Sequence, residues 1–329
     1  MDFILPFRIK PFPFTISYRD KIILIGSCFS EEIGYKMKSL KFDVLQNPNG
    51  ILYHPISICQ SLSSTIENKK QTEKDIFEFN GLWHSWQHHS IFSGVDKNEV
   101  LDTINQAQST AHNLLKKSTY LVITFGSAFY YQLKNDKRAV ANCHKAPADW
   151  FEKFLMPVDS IIDDTKNILS LLNEFNPGLK IIFTVSPVRH VKDGVIENNR
   201  SKARLIEAIH SIIEATDNCF YFPSYELVTD ILRDYRFYKN DLVHPNETAI
   251  EYVFEKFCEA AINAEEKEIM TKVQSIIHAV EHKPFSKESA PFQKFAGAQI
   301  KIIEHLQDQF PSIDLSSEKK YFEEYLLSE

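Results

Sequence analysis

Apolar residues follow two rhythms along this 329-residue chain. Four short continuous runs, Lys21–Ile25, Tyr120–Thr124, Lys180–Val185 and Cys219–Phe222, are rich in β-branched or aromatic residues and end on turn signals. Continuous apolar runs of that length suit strands covered on both faces. Phe42–Leu45 is a shorter fifth candidate. Between them, Ser30–Leu40, Ile56–Ser63, Asn98–Lys117, Ile161–Phe175, Ser201–Thr216 and Glu247–Ala261 repeat apolar residues at helical spacing. Alternation of strand and helix predicts βαβ units and a doubly wound, flavodoxin-like parallel sheet flanked by helices. Ligands of such sheets bind at the carboxyl ends of the strands. The loops after Ile25, Thr124 and Val185 are therefore where chemistry is expected.

Two stretches break the alternation. Residues 77–94 are aromatic and irregular, and predict a hairpin lying over the pocket. Residues 264–329 are charged and helical in pattern, interrupted near Lys283–Pro291, and read as a C-terminal helical appendage packed on a domain formed by residues 1–263.

Composition narrows the function. The formal net charge is −7, without the concentrated basic footprint that nucleic acid demands, so nucleic acid is not an expected partner. The five cysteines are widely spaced and odd in number, with no Cys-x-x-Cys. That argues against a disulfide framework or a thiolate zinc site, and suits a reducing compartment. The first residues lack a basic start followed by a long apolar stretch, and no run approaches the roughly 18 apolar residues of a membrane span. The expectation is a cytoplasmic protein with no membrane association, no metal and no cofactor.

Two segments carry the candidate chemistry. Gly26-Ser27-Cys28-Phe29-Ser30 ends the first strand and opens a helix. A nucleophile there stands at the sheet's carboxyl edge, where helix N–H groups and the dipole lower a thiol's pKa and stabilise an oxyanion. The plainer reading is that Ser27 caps the helix and Cys28 packs. In Asp241-Leu242-Val243-His244-Pro245-Asn246, a carboxylate three residues before a histidine can turn back onto the imidazole and fix its tautomer. Asn47-Pro48-Asn49-Gly50 offers an amide and a backbone N–H, or simply a turn. Gly126 permits a close backbone approach after the Tyr120–Thr124 strand. Asn142, His144 and the Arg189-His190 pair are expected near the same edge. His84 and His88 stand four apart, but their aromatic setting reads as strand, which favours lid contacts or packing over a metal.

Taken together, Gly26-Ser27-Cys28-Phe29-Ser30, Asn47-Pro48-Asn49-Gly50, Gly126-Ser127-Ala128-Phe129-Tyr130-Tyr131, Asn142-Cys143-His144-Lys145, Thr184-Val185-Ser186-Pro187-Val188-Arg189-His190 and Asp241-Leu242-Val243-His244-Pro245 form an ordered set across residues 21–260. This set resembles the GSCFA family, which looks like a branch of the SGNH hydrolases, mostly esterases, lipases and carbohydrate deacetylases. The resemblance implies an SGNH-hydrolase-type fold. Its nucleophile is the third residue of Gly-Asp-Ser, which aligns with Cys28, while Ser27 stands where the aspartate does. Ser27 serves instead if the turn rotates by one residue. The oxyanion glycine falls on Gly50. Gly126 fits the glycine of Gly-x-Asn-Asp, but Ala128 takes the asparagine's place, leaving Asn142 or Asn47 as replacement donors. Asp241 and His244 match the closing Asp-x-x-His.

The expected function is hydrolysis of an ester, an O-acyl group on a small-molecule or carbohydrate-like substrate. Two alternatives stand beside it. One is an O-acyltransferase using a thioester donor. The other is a binding protein on the same scaffold, whose missing Gly-Asp-Ser and Asn-Asp reflect lost catalysis.

Overall fold

The computed structural model describes residues 6–281 and 289–326. Five strands form the central parallel sheet: β1 (Lys21–Gly26), β2 (Asp43–Gln46), β3 (Tyr120–Phe125), β4 (Lys180–Val185) and β5 (Cys219–Tyr221). Their order is β5-β4-β3-β1-β2. The chain moves from β1 outward to β2, then returns to the other side of β1 with β3. Such a reversal opens a crevice between the carboxyl ends of β1 and β3.

Each strand candidate is found, with bounds shifted by one residue at most. Each helix is found too, with ends that differ by up to six residues: α1 (Cys28–Ser39), α2 (Pro55–Glu67), α3 (Lys97–Leu115), α4 (Val158–Phe175), α5 (Val195–Glu214) and α6 (Glu247–Ala261). Continuous apolar runs arise because both sheet faces are buried. Ile23, Ile25, Ile123, Phe125 and Phe183 pack with Ile58 of α2, Ile168 of α4 and Leu205 and Ile209 of α5. The alternate positions Ile22, Leu24, Val122 and Ile182 are also buried. On that second face Ser30 Oγ of α1 bonds to Thr124 Oγ1 of β3 at 2.7 Å.

Two insertions interrupt the alternation. Ile76–Phe79 and Leu82–Ser85 pair as an antiparallel hairpin. Its turn residues Asn80 and Gly81 have φ of 51° and 75°, the left-handed pair that a tight hairpin requires. After β3, Phe129–Leu133 pairs with both Ala139–Val140 and Phe151–Leu155 in a small antiparallel sheet.

The chain divides into two compact units. One holds residues 21–34 and 44–256, and with them all of the sheet but Asp43, the first residue of β2. The other gathers residues 9–20, 35–43 and 257–329, more than the C-terminal segment alone. Within it the N-terminal segment is tied to the end of α6, with Phe12 N–H donating to Ala260 O at 2.9 Å and Ile16 N–H to Ala261 O at 2.7 Å. Its helices Ala264–Glu281, Ala290–Gln309 and Ser316–Glu323 bury Val273, Ile303 and Phe322. The interruption expected near Lys283–Pro291 lies mostly outside the described residues. Among the described residues, no helix is long and apolar enough to cross a membrane.

Candidate active site

The turn after β1 is fixed from three sides. Gly26 has φ of 141°, and a Cβ there would lie 2.1 Å from the Thr124 carbonyl oxygen, so no other residue fits. Its N–H donates to Asn47 Oδ1 at 2.9 Å, and its carbonyl accepts from Leu52 N–H at 2.9 Å. Ser27 N–H donates to Thr124 O at 3.3 Å. Ser27 is fully buried, and its Oγ accepts from Phe29 N–H at 3.3 Å. It is the N-cap of α1. Cys28, the first residue of that helix, is partly exposed and lines a cavity of about 550 Å³. The N–H of Cys28 has no carbonyl inside the helix to receive it.

The expectation that the helix terminus lowers the Cys28 thiol is not met. Burial and the carboxylates Glu31 and Glu32 push its pKa up, and they outweigh the opposing effects of its own backbone N–H and of Lys202. The resting group is therefore a thiol that needs a base.

His244 lines the same cavity. The loop before α6 shapes it through one carboxylate. Asp241 Oδ1 accepts from Val243 N–H at 2.9 Å and His244 N–H at 3.0 Å, and Oδ2 lies 2.7 Å from His244 Nδ1. Leu242, at φ 58°, makes the bend that closes this turn. Those bonds hold the Asp241 carboxyl down at about 2. The carboxylate favours a proton on Nδ1, which leaves Nε2 as the proton acceptor. Arg189 N–H donates to Val243 O at 3.2 Å, tying this loop to the segment after β4. The Arg189 guanidinium stands over the Tyr238 ring at 4.1 Å and also lines the cavity.

Other expected residues are placed differently. Gly50 N–H donates to Asn47 O at 2.7 Å, and a Cβ on Gly50 would meet His89 Cβ at 2.3 Å. Gly50 therefore packs under His89 and has no N–H to offer. Asn47 is buried behind β1, where it braces Gly26. Gly126 and Ser127 both donate their N–H groups to Tyr53 O, at 2.8 and 2.9 Å. Asn142 lines the cavity, with its Oδ1 accepting from His144 N–H at 2.8 Å. His144 turns away into an aromatic cluster, its Nε2 2.8 Å from Ser85 O and its ring 4.6 Å from that of His84. The hairpin predicted within residues 77–94 is present, but no residue of it lines the cavity. The small sheet after β3 does instead, through Phe129, Tyr131, Val140 and Lys153. His84 is bound by Ser93 Oγ and Phe79 O, and His88 by Ser85 Oγ and Asn49 Nδ2, so both are structural. Among the described residues no group of three or more His, Cys, Asp or Glu side chains is placed to hold a metal.

One residue escaped the sequence reading. Lys202 is buried, and its Nζ donates to Gly126 O at 2.6 Å and Ser186 O at 2.7 Å. It joins the turns that follow β3 and β4. Burial lowers its pKa to about 7, against the pull of Cys28. A signal for it existed: Lys202 falls three residues before Leu205 on the buried stripe of α5 that continues through Ile209 and Ile212.

Solved structures resemble the chain only distantly. A carbohydrate esterase of family 3 from Talaromyces cellulolyticus is 10% identical, with a TM-score of 0.36, over 78% of this chain and 99% of its own. An acetyl esterase mutant with acetate ion gives 10%, 0.34, 78% and 99%. The acetyl xylan esterase Est2A from the rumen bacterium Butyrivibrio proteoclasticus gives 10% and 0.39, over 79% of this chain and 66% of its own. Likeness at this level says nothing about the reaction. No curated protein matches the chain. Its sequence does match two family models, the GSCFA family over residues 21–257 and the C-terminal domain of GSCFA domain proteins over residues 273–328. With most of its length matched in this way, the chain belongs to the GSCFA family.

Proposed function

We propose that the chain hydrolyses an ester, an O-acyl group carried by a small or carbohydrate-like substrate, with Cys28 as nucleophile, His244 as proton carrier and Asp241 as its orienting carboxylate. The observation that carries this reading is one cavity lined by both a helix-terminal thiol and an imidazole whose Nδ1 is held by a carboxylate. Ser27 is the lesser candidate, because its Oγ caps α1 and the residue is fully buried.

The chemistry runs in two stages. His244 Nε2 takes the Cys28 proton as Sγ bonds to the acyl carbon. The carbonyl π electrons move onto oxygen, beside the free N–H of Cys28. The carbon–oxygen bond to the alcohol then breaks, and His244 returns the proton to the leaving alkoxide. In the second stage His244 takes a proton from water, the hydroxide attacks the thioester carbon, the carbon–sulfur bond breaks to release the acid, and His244 gives its proton to the departing thiolate. The mixture of Tyr53, Phe129 and Tyr131 with Arg189 and the Lys153–Asp193 ion pair in the cavity lining suits a polar ring-like alcohol portion.

The test is p-nitrophenyl acetate turnover by wild type, Ser27→Ala, Cys28→Ala and His244→Ala, with mass spectrometry for an acyl group on the chain. Loss in Cys28→Ala and His244→Ala, with turnover kept in Ser27→Ala, is expected. Unchanged turnover in His244→Ala would overturn the reading.

A further inference from the structure

The segment after β4 places His190 in the wall of the same cavity, together with Cys28 and His244. Its main chain is anchored on both sides. His190 N–H donates to Asn198 Oδ1 of α5 at 2.8 Å, and the preceding Arg189 N–H donates to Val243 O at 3.2 Å. The ring meets Tyr53 edge-on, with centroids 5.4 Å apart at 81°.

The inner edge of that ring is what stands out. His190 Nε2 is buried and has no hydrogen-bond partner. It lies over Gly126: a Cβ built there would be 3.4 Å from Nε2, 3.3 Å from Ser27 Cβ and 3.1 Å from Tyr53 O. The absent side chain at residue 126 keeps the nucleophile turn and this nitrogen adjacent. A buried polar atom left unpaired costs about 1–3 kcal/mol, so an orphan of this kind at a cavity calls for a partner that arrives with a ligand. The imidazole is held neutral, first by burial and then by Lys202, His244 and Lys153 around it, with its pKa lowered to about 3. A neutral imidazole donates one N–H without bringing a full charge, as an electrophilic histidine must.

The backbone donors around it are committed. The N–H groups of Gly50, Gly126 and Ser127 are taken by Asn47 O and Tyr53 O, and that of Ala128 by Ser201 Oγ at 2.7 Å. We infer that on substrate binding the His190 ring turns off Gly126, so that Nε2 donates a hydrogen bond to the acyl oxygen of the substrate as Cys28 attacks, acting with the N–H of Cys28. This rests on the proposed role of Cys28 as nucleophile. As the Sγ–carbon bond forms, the carbonyl π electrons move onto the oxygen that this N–H faces. As the alcohol leaves they return, and no proton is transferred to or from His190.

The experiment compares two reactions of the same thiol. Acylation of Cys28 by p-nitrophenyl acetate builds charge on an oxygen, while alkylation by iodoacetamide builds none at that place. Both rates are measured by mass spectrometry on wild type, His190→Ala, His190→Gln and Asn142→Ala. In His190→Ala acylation is expected to fall about 100-fold, the usual size of one lost oxyanion donor, with alkylation within about twofold of wild type. His190→Gln, which keeps an N–H, is expected to recover part of the acylation rate. Equal losses in both reactions would show that His190 only holds the thiol in place and would overturn the inference. Unchanged acylation in His190→Ala would overturn it too, as would a loss carried by Asn142→Ala instead. Wild type that is alkylated but never acylated at Cys28 would overturn the hydrolase reading itself, and this inference with it. Those failures are distinguished by whether they appear in the wild type or only in the variants.

Discussion

Asp241 holds His244 through two bonds, from Oδ2 to the ring Nδ1 at 2.7 Å and from Oδ1 to the backbone N–H at 3.0 Å, and a third from Oδ1 to Val243 N–H closes the turn. A single carboxylate therefore sets both the backbone turn and the ring. Asp241→Asn is expected to keep a hydrogen bond to the backbone while its amide competes for the wrong tautomer, lowering turnover by at least about 100-fold with little loss of stability. Steady-state kinetics with thermal melts of the same variant check this. Because the Asp241 carboxyl titrates near 2, the acid limb of the wild-type rate profile is expected to lie well above that value and to report another group.

Ser27 and Cys28 are adjacent but do different work. Ser27→Ala removes a buried N-cap and is expected to cost about 1 kcal/mol in urea denaturation while turnover persists. Cys28→Ala is expected to keep stability and lose turnover. A reversed pattern would assign the nucleophile to Ser27.

Gly26→Ala meets two penalties at one residue, φ of 141° and a Cβ 2.1 Å from Thr124 O. The variant is expected to lose about 2–4 kcal/mol or to accumulate as insoluble chain. Urea unfolding of whatever soluble fraction remains measures it.

Stability is expected to fall in mild acid. His54 and His88 are buried, and desolvation lowers each from 6.5 to about 4. Below pH 6.5 the unfolded chain binds protons that the folded chain refuses, so the stability these two groups contribute is fully present above 6.5 and is lost as pH falls towards 4. The slope reaches about 1.4 kcal/mol per pH unit for each histidine. Urea midpoints measured from pH 8 to pH 4 check the window, and His54→Gln is expected to flatten it.

Lys202 Nζ is the buried donor that joins the Gly126 and Ser186 carbonyls. Lys202→Met leaves both carbonyls without that donor and is expected to cost about 1–3 kcal/mol in urea denaturation. An unchanged urea midpoint would mean that this link does not support the fold.

The alternation of short apolar runs with helical stripes determined the architecture, because burial on both faces makes a parallel strand continuously apolar and burial on one face makes a helix periodic. β4 and α6 have the residue bounds that pattern assigned them, and the stretch 77–94 that breaks the alternation does hold a hairpin strand pair. The Gly26–Cys28 turn and the Asp241–His244 pair were legible for the same reason: each is a contact between near neighbours in the chain. Which distant groups share the cavity was decided by the strand order, which sets residues 28, 190 and 244 around one crevice although more than 50 positions separate each from the next. Tertiary packing also turned His144 and the 77–94 hairpin away from that cavity, spent the Gly50 N–H inside its own turn and sealed Lys202 under Gly126. Local spacing fixes what a segment is, whereas the direction of a side chain and the hydration of a charge depend on the segments that come to cover it.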